Sequence, residues 1–216
     1  MVEISPSILA ASEENFAKEI YSIEVAGADY VHVDVMDNIF VPNETHMLER
    51  AGIIKQISNL PLDVHLMVKD VKAYTDAFLT VNPNIITFHL EAIDNIDEML
   101  NYIKQNNVRV GLSVKPKTKV EELYPYLDKI HMALIMTVEP GFGGQKLILE
   151  TIEKVRVLKK YIDDNNLDVD IEVDGGVTLE NAQELKDAGA NILVAGTTVF
   201  KAEDRKKVIE ELKKCQ

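Results

Sequence analysis

Eight times along this chain a short run rich in branched residues is followed by a longer amphipathic stretch, and that repeated alternation restricts the fold more than any other feature. The strand candidates are Ile4 to Ile8, Tyr30 to Asp34, Leu62 to Met67, Ile85 to Leu90, Val108 to Val114, Met132 to Thr137, Val169 to Val173 and Ile192 to Ala195. The helix candidates are Glu13 to Val25, Leu48 to Gln56, Val71 to Thr80, Ile96 to Gln105, Val120 to Leu127, Leu147 to Asp163, Leu179 to Ala188 and Asp204 to Lys214. Ser12 with Asn15, and Thr178 with Asn181, supply capping signals. Strands joined through helices run parallel. Eight such units in 216 residues, somewhat under the roughly 250 typical of the fold, predict an α/β protein built as one compact (β/α)₈ TIM barrel over residues 1–216. An open dinucleotide-binding sheet is disfavoured, because it needs a glycine-rich turn after the first strand, where this chain has Ser7-Ile8-Leu9-Ala10-Ala11. In a barrel, chemistry is expected at the carboxyl ends of the strands.

Charge narrows the partners. Lysine and arginine number 23 against 36 aspartates and glutamates, a formal charge of -13. Such a field repels polyanions, so neither nucleic acid nor an anionic membrane is an expected partner. It also repels a phosphorylated metabolite unless backbone amides, a metal or a few cations reverse it locally. Cys215, the single cysteine, permits no intrachain disulfide and reads as a surface thiol. The opening MVEISPSILAAS lacks a basic signal-type region and no apolar run approaches 18 residues, so a cytoplasmic location is expected.

The second strand reads Val31-His32-Val33-Asp34-Val35-Met36-Asp37. Alternation puts His32, Asp34 and Met36 on one face, and a buried His and Asp demand partners. The neighbouring third strand, Asp63-Val64-His65-Leu66-Met67, offers His65, and the seventh ends in Asp174 before Gly175-Gly176. Any one histidine alone reads more simply as a satisfied core group. Two histidines and two carboxylates at strand ends, with Met36, Met67 and Met136 at equivalent depths, instead predict a mixed nitrogen and oxygen site suited to Zn²⁺, Fe²⁺, Co²⁺ or Mn²⁺. His46, His89 and His131 lack a comparable setting and read as structural, with His89 the nearest to an exception. Glu172 shares the inward parity of Asp174 without an evident partner.

The sixth strand continues into Thr137-Val138-Glu139-Pro140-Gly141-Phe142-Gly143-Gly144-Gln145. Its glycines let amides approach an anion and allow a lid. Gly175 and Gly176, and Gly196-Thr197-Thr198 with a short helix start, occupy the usual phosphate position of this barrel. An acidic protein can hold a phosphate in this way, through amides.

These segments resemble the ribulose-phosphate 3-epimerase family. The run from Val31 to Asp37 continuing through Phe40-Val41-Pro42-Asn43 is similar to its first signature, and Met136 to Gln145 to its second. Ser5-Pro6-Ser7-Ile8-Leu9, Asp63 to Met67, His89-Leu90-Glu91-Ala92 and Glu172 to Val177 match as well, in the family's order. The resemblance implies one divalent ion per subunit on His32, Asp34, His65 and Asp174, with Asp34 and Asp174 also the acid/base pair. It implies a phosphorylated ketose in contact with Ser7, His65 and Asp174, among Met36, Met67 and Met136. The glycine loops, through Gly141, Phe142, Gly143, Gly144, Gly176, Gly196 and Thr197, would hold the phosphate. A homo-oligomer, dimer or hexamer, is expected. The chain departs from the family in Asn38, where glycine is usual, and in Glu44-Thr45-His46-Met47-Leu48, where a Thr-Phe-Gly-like segment is usual.

Epimerising C3 of a 2-ketose phosphate removes a proton beside a carbonyl, through a 2,3-enediolate, and replaces it from the other face; two carboxylates suit that task. Ribulose 5-phosphate and xylulose 5-phosphate, of the pentose phosphate pathway, are the expected pair. Allulose 6-phosphate is the rival substrate, and a non-catalytic sugar-phosphate barrel the rival of a different kind. Decarboxylases and synthases of this barrel superfamily carry Asp-x-Lys-x-x-Asp at the second strand, and Asp34 to Asp37 contains no lysine.

Overall fold

Every strand in this protein runs parallel to its neighbours, and together they curl into one eight-stranded sheet. The structure is a computed structural model and describes residues 1–214, so Cys215 lies outside the described residues. The strands are β1 (Glu3–Ser5), β2 (Val31–Met36), β3 (Leu62–Met67), β4 (Ile85–His89), β5 (Arg109–Val114), β6 (Met132–Met136), β7 (Asp170–Asp174) and β8 (Ile192–Val194), in the order β1-β8-β7-β6-β5-β4-β3-β2. The helices are α1 (Phe16–Val25), α2 (Met47–Ile57), α3 (Val71–Leu79), α4 (Ile96–Gln105), α5 (Glu150–Asp164), α6 (Leu179–Ala188), α7 (Thr197–Phe200) and α8 (Arg205–Lys214). This is the expected (β/α)₈ barrel.

The seam between β1 and β2 is stitched by single bonds. Asp29 N donates to Ile4 O at 2.9 Å, His32 N donates to Pro6 O at 3.1 Å, and Ser7 forms an isolated parallel bridge with His32. Here the sequence expectation needs correction: the first strand ends at Ser5, not Ile8. Pro6 has no N–H for a ladder, and Ile8–Ala10 coils into a 3-10 turn in which the Leu9 amide donates to Ser7 Oγ.

Two helices also differ from expectation. α1 starts at Phe16 with Asn15 as its N-cap, so Ser12 does not serve as the cap. Val120–Lys129 forms a 3-10 helix, because Pro125 inside it cannot donate and its ring collides with the preceding turn. At α6 the capping signal holds, with Thr178 N donating to Asn181 Oδ1 at 2.8 Å.

The outward residues of the central strands, such as Val31, Val33, Val64 and Leu66, are fully buried against the helices in the main core. At about 1.5–3 kcal/mol for each buried aliphatic side chain, that layer dominates the stability. The lumen is stratified. Ile85, Met132 and Ile192 with Tyr30 close its amino end, and Met36, Met67, Leu134 and Met136 line the carboxyl end. Polar groups lie sealed within the barrel, among them Ser5, His32, Asp63, Thr87 and Glu172. Among the described residues no helix is long and apolar enough to cross a membrane.

Candidate active site

The strand register sets Asp34 beside His65 and Met36 beside Met67 across β2 and β3, and Met136 beside Asp174 across β6 and β7. One ligand-type atom from each of His32, Asp34, His65 and Asp174 lies within 4.8 Å of the others. His32 Nε2 is 3.4 Å from Asp34 Oδ1 and 3.8 Å from Asp174 Oδ2, and His65 Nδ1 is 3.5 Å from each of the same two oxygens. Both nitrogens are buried without a hydrogen-bond partner. Buried imidazole nitrogens left orphaned beside two carboxylates are costly alone and are satisfied by a cation at their centre. The four residues therefore fit a divalent metal.

Each group is held from behind. His32 Nδ1 is bonded to Asp63 Oδ2 at 2.6 Å, and Ser5 Oγ donates to that same oxygen at 2.9 Å. Ser7 Oγ donates to Asp34 Oδ2 at 2.5 Å. His65 Nε2 meets His89 Nε2 at 3.0 Å, and His89 Nδ1 meets Glu91 Oε2 at 3.3 Å. His89 is therefore more than a core filler, whereas His131 accepts from Val110 N and His46 is the N-cap of α2.

Electrostatics follow from burial and these contacts. Burial alone would lower the pKa of His32, but the Asp63 and Asp34 carboxylates hold it well above the ordinary histidine range. Burial would lower His65 too, but the Asp174 and Asp34 carboxylates 3.5 Å from its Nδ1 raise it. Asp34 is held far below the carboxylate range, chiefly by His32, although burial opposes this. Burial pushes His89 down to about 4, so it is neutral. Glu172 is raised well above its ordinary value by burial and then by Asp63, and its carboxyl lies 3.8 Å from His32 Nδ1. It belongs to the polar layer beneath the four residues.

Above them opens a cavity of 790 Å³. Ser7, Asp34 and Asp174 reach its floor, and Met36, Met67 and Met136 form apolar wall. The rim carries Gly141, Phe142, Gly143 and Gly144 on one side, and Gly175, Gly176, Gly196 and Thr197 on the other. His32 and His65 lie beneath the floor, fully buried. Gly176 adopts φ 68, and a Cβ there would run into the backbone nitrogen of Leu147 and stand 2.8 Å from Gln145 O. The backbone from Gln145 to Leu147, just after the first rim, thus packs closely on Gly176 in the second.

A family model described as the ribulose-phosphate 3 epimerase family matches residues 3–200. This chain belongs to that family. Ribulose-phosphate 3-epimerase of Bacillus subtilis (strain 168) is 40% identical over 214 residues, covering 99% of each chain. That of Escherichia coli (strain K12) is 42% identical over 214 residues, covering 97% of this chain and 94% of its own. Among solved structures, KGPDC from Streptococcus mutans superposes with a TM-score of 0.72 at 11% identity, over 99% of this chain and 97% of its own. A 3-hexulose-6-phosphate synthase gives 0.67 at 14% identity, over 100% and 99%. These two share the fold alone.

The departures from the epimerase family pattern are absorbed locally. Asn38 takes φ 55, the left-handed conformation that asparagine tolerates, while Asp37 Oδ1 accepts from the amides of Ile39 and Phe40. Thr45 folds the altered segment back onto β2, donating from Oγ1 to Asp34 O at 2.9 Å and accepting there from Met36 N at 3.0 Å. Asn43 Nδ2 then donates to Gly141 O at 2.9 Å, and Gln145 Nε2 to Glu139 O and Phe142 O. Sequence reasoning missed Asp63, Glu91 and Asn43 as contributors. Asp63 had a signal, since it shares the inward parity of His65, while Asn43 and Glu91 were marked only by lying inside segments that match the family, which assigned them no contact.

Proposed function

We propose that this chain is a ribulose-phosphate 3-epimerase that interconverts D-ribulose 5-phosphate and D-xylulose 5-phosphate by two-base proton transfer at C3. Beyond family membership, one observation carries the reading: two carboxylates from β2 and β7 meet at the unpartnered nitrogens of two buried histidines, on the floor of a glycine-rimmed cavity. His32, Asp34, His65 and Asp174 would hold one divalent ion, Zn²⁺ or Fe²⁺, with Mn²⁺ and Co²⁺ the other choices suited to a mixed nitrogen and oxygen set. Bound there, the ion supplies a Lewis acid for the C2 carbonyl of the substrate.

Asp34 and Asp174 then exchange the C3 proton, one accepting it as the other donates from the opposite face. Ser7 orients Asp34 by occupying its Oδ2. Met36, Met67 and Met136 exclude water and offer no competing proton, which protects the 2,3-enediolate and strengthens the local field. Amides around Gly141, Phe142, Gly143 and Gly144, with Gly176, Gly196 and Thr197, take the phosphate, so an acidic protein needs little cationic side-chain charge at the site. One catalytic domain, a cytoplasmic location and assembly into a dimer or hexamer complete the reading, the last testable by sedimentation.

The altered segment from Glu44 to Leu48, packed beside Asp34 through Thr45, favours keeping allulose 6-phosphate as a second substrate to be measured. A coupled assay with ribulose 5-phosphate and allulose 6-phosphate, before and after chelation, tests the whole proposal. Turnover of the pentulose phosphate that chelation abolishes is expected. Absence of turnover on both sugars would leave a sugar-phosphate-binding barrel without catalysis.

A further inference from the structure

Two imidazoles face the same pair of carboxylates in this site, yet they present different atoms: His32 offers Nε2 and His65 offers Nδ1. The reason for the difference lies behind them. Asp63 takes the Nδ1 hydrogen of His32 directly. For His65 the controlling carboxylate is Glu91, one imidazole further away.

We propose that Glu91 and His89 are positioning residues that fix His65 in the tautomer with Nδ1 unprotonated and aimed at Asp34 and Asp174. The inference rests on the metal-centre reading above. Glu91 Oε1 is occupied by Lys115 N at 2.7 Å and by the Thr118 hydroxyl, leaving Oε2 for His89. A carboxylate only accepts, so His89 Nδ1 carries a hydrogen. In a neutral ring, Nε2 of His89 is then a bare acceptor. One hydrogen must lie between the two Nε2 atoms at 3.0 Å, and it therefore belongs to His65. That leaves the His65 Nδ1 lone pair facing the carboxylates. The rings meet edge to edge for this: the His65 and His89 centroids are 5.0 Å apart with their planes only 26° from parallel, the Phe40 ring lies 5.0 Å from His89, and Lys115 Nζ sits 3.7 Å over Phe40. With Nδ1 protonated instead, an N–H would point at the ligand position and exclude a cation.

Zinc titration of the metal-free protein, monitored beside long-range proton–nitrogen NMR of the zinc-loaded form, tests the chain of bonds. In the parent, His65 should carry hydrogen on Nε2 and the metal-shifted resonance on Nδ1. His89→Leu should raise the zinc dissociation constant about 10- to 100-fold, the range typical of lost partners behind metal-binding histidines. His89→Gln, whose amide oxygen accepts from Nε2–H, should recover most of that loss. Should His89→Leu not fold, Glu91→Gln keeps the size of the side chain but turns one of its two acceptor oxygens into an NH2 donor. With the remaining oxygen held by Lys115 N and Thr118, it denies His89 Nδ1–H its acceptor, and should weaken zinc binding and shift the His89 Nδ1–H resonance. Parent-like affinity and spectra in the folded variants, or ligation of His65 through Nε2, would overturn the proposal. His65→Ala separates the two readings. If it leaves zinc binding unchanged, the metal centre itself is misassigned; if it weakens binding while His89→Leu and Glu91→Gln do not, only the positioning role fails.

Discussion

Loading the metal-free protein with zinc should release protons, and their number follows from the site. His32 and His65 both have pKa values raised by the carboxylates that face them. When no cation is present, each neutral ring takes a second hydrogen as pH falls below its raised value, at Nε2 of His32 and at Nδ1 of His65, and zinc must displace it to use those atoms as ligands. About two protons should therefore appear per zinc. Since each displaced proton contributes about a factor of ten per pH unit, apparent affinity should climb by up to about 100-fold for each unit of pH, flattening above the raised histidine values. Calorimetry in buffers of different ionisation enthalpy reads the count directly, and His65→Ala should reduce it by about one. Stability should move the opposite way in the metal-free protein. A folded-state pKa above the unfolded one gives stabilisation that is complete below the unfolded value, about 6.5, and lost as pH rises through the folded value. Glu172, also raised, acts in the same direction. Zinc binding that releases no protons near pH 6.5, or whose affinity is flat between about pH 6 and 8, would refute this reasoning.

Gly176→Ala combines a left-handed backbone, costing on the order of 1–2 kcal/mol, with a collision against the Leu147 backbone, whereas Gly144→Ala at φ 73 meets nothing nearer than Thr197 Oγ1 at 4.0 Å. Thermal unfolding should show the first as clearly worse, and only the first should raise KM for ribulose 5-phosphate more than tenfold. Asn43→Ala removes the donor to Gly141 O; a net hydrogen bond of about 0.5–1.5 kcal/mol predicts a KM increase of roughly two- to tenfold with little change in Tm. Asp174→Asn, scored only on protein shown by metal analysis to retain its ion, should slow epimerisation by about 10² to 10⁴. In heavy water it should still exchange the C3 hydrogen of one epimer, and parent-rate epimerisation would eliminate the two-base scheme.

Much of the barrel was legible because hydrophobic period is a long-range signal repeated many times. β3, α4 and α6 match the sequence expectation residue for residue. Failures fall where a backbone detail outweighs pattern. Ile4 to Ile8 looks continuous, but Pro6 stops the ladder; Val120 to Leu127 looks α-helical, but Pro125 enforces the tighter coil. Parity on β2 and β3 was enough to bring His32, Asp34 and His65 to one place, and Asp174 follows from its position at the end of β7. The supports behind them were harder to see. Glu91 reaches His65 only through His89, and its own orientation depends on Lys115 and Thr118 after β5, a relation between three separate strands that no local period encodes.

β1 forms its ladder with β8, pairing Glu3 with Ile192, so the sheet joins the first strand of the chain to the last. During synthesis from the amino end, Glu3–Ser5 waits for almost the whole polypeptide before it gains a ladder partner. Until then the inward carboxylates and histidines of β2 and β3 face an open trough. Ser7, bonded to Asp34, stands 3.3 Å from the position of a Cβ at Gly196, so the barrel's closing step also finishes the cavity floor. Nascent chains lacking β8 should therefore carry the chemistry-bearing residues of β2 and β3 without the enclosure that makes them a site, and topologies of this non-local kind fold slowly.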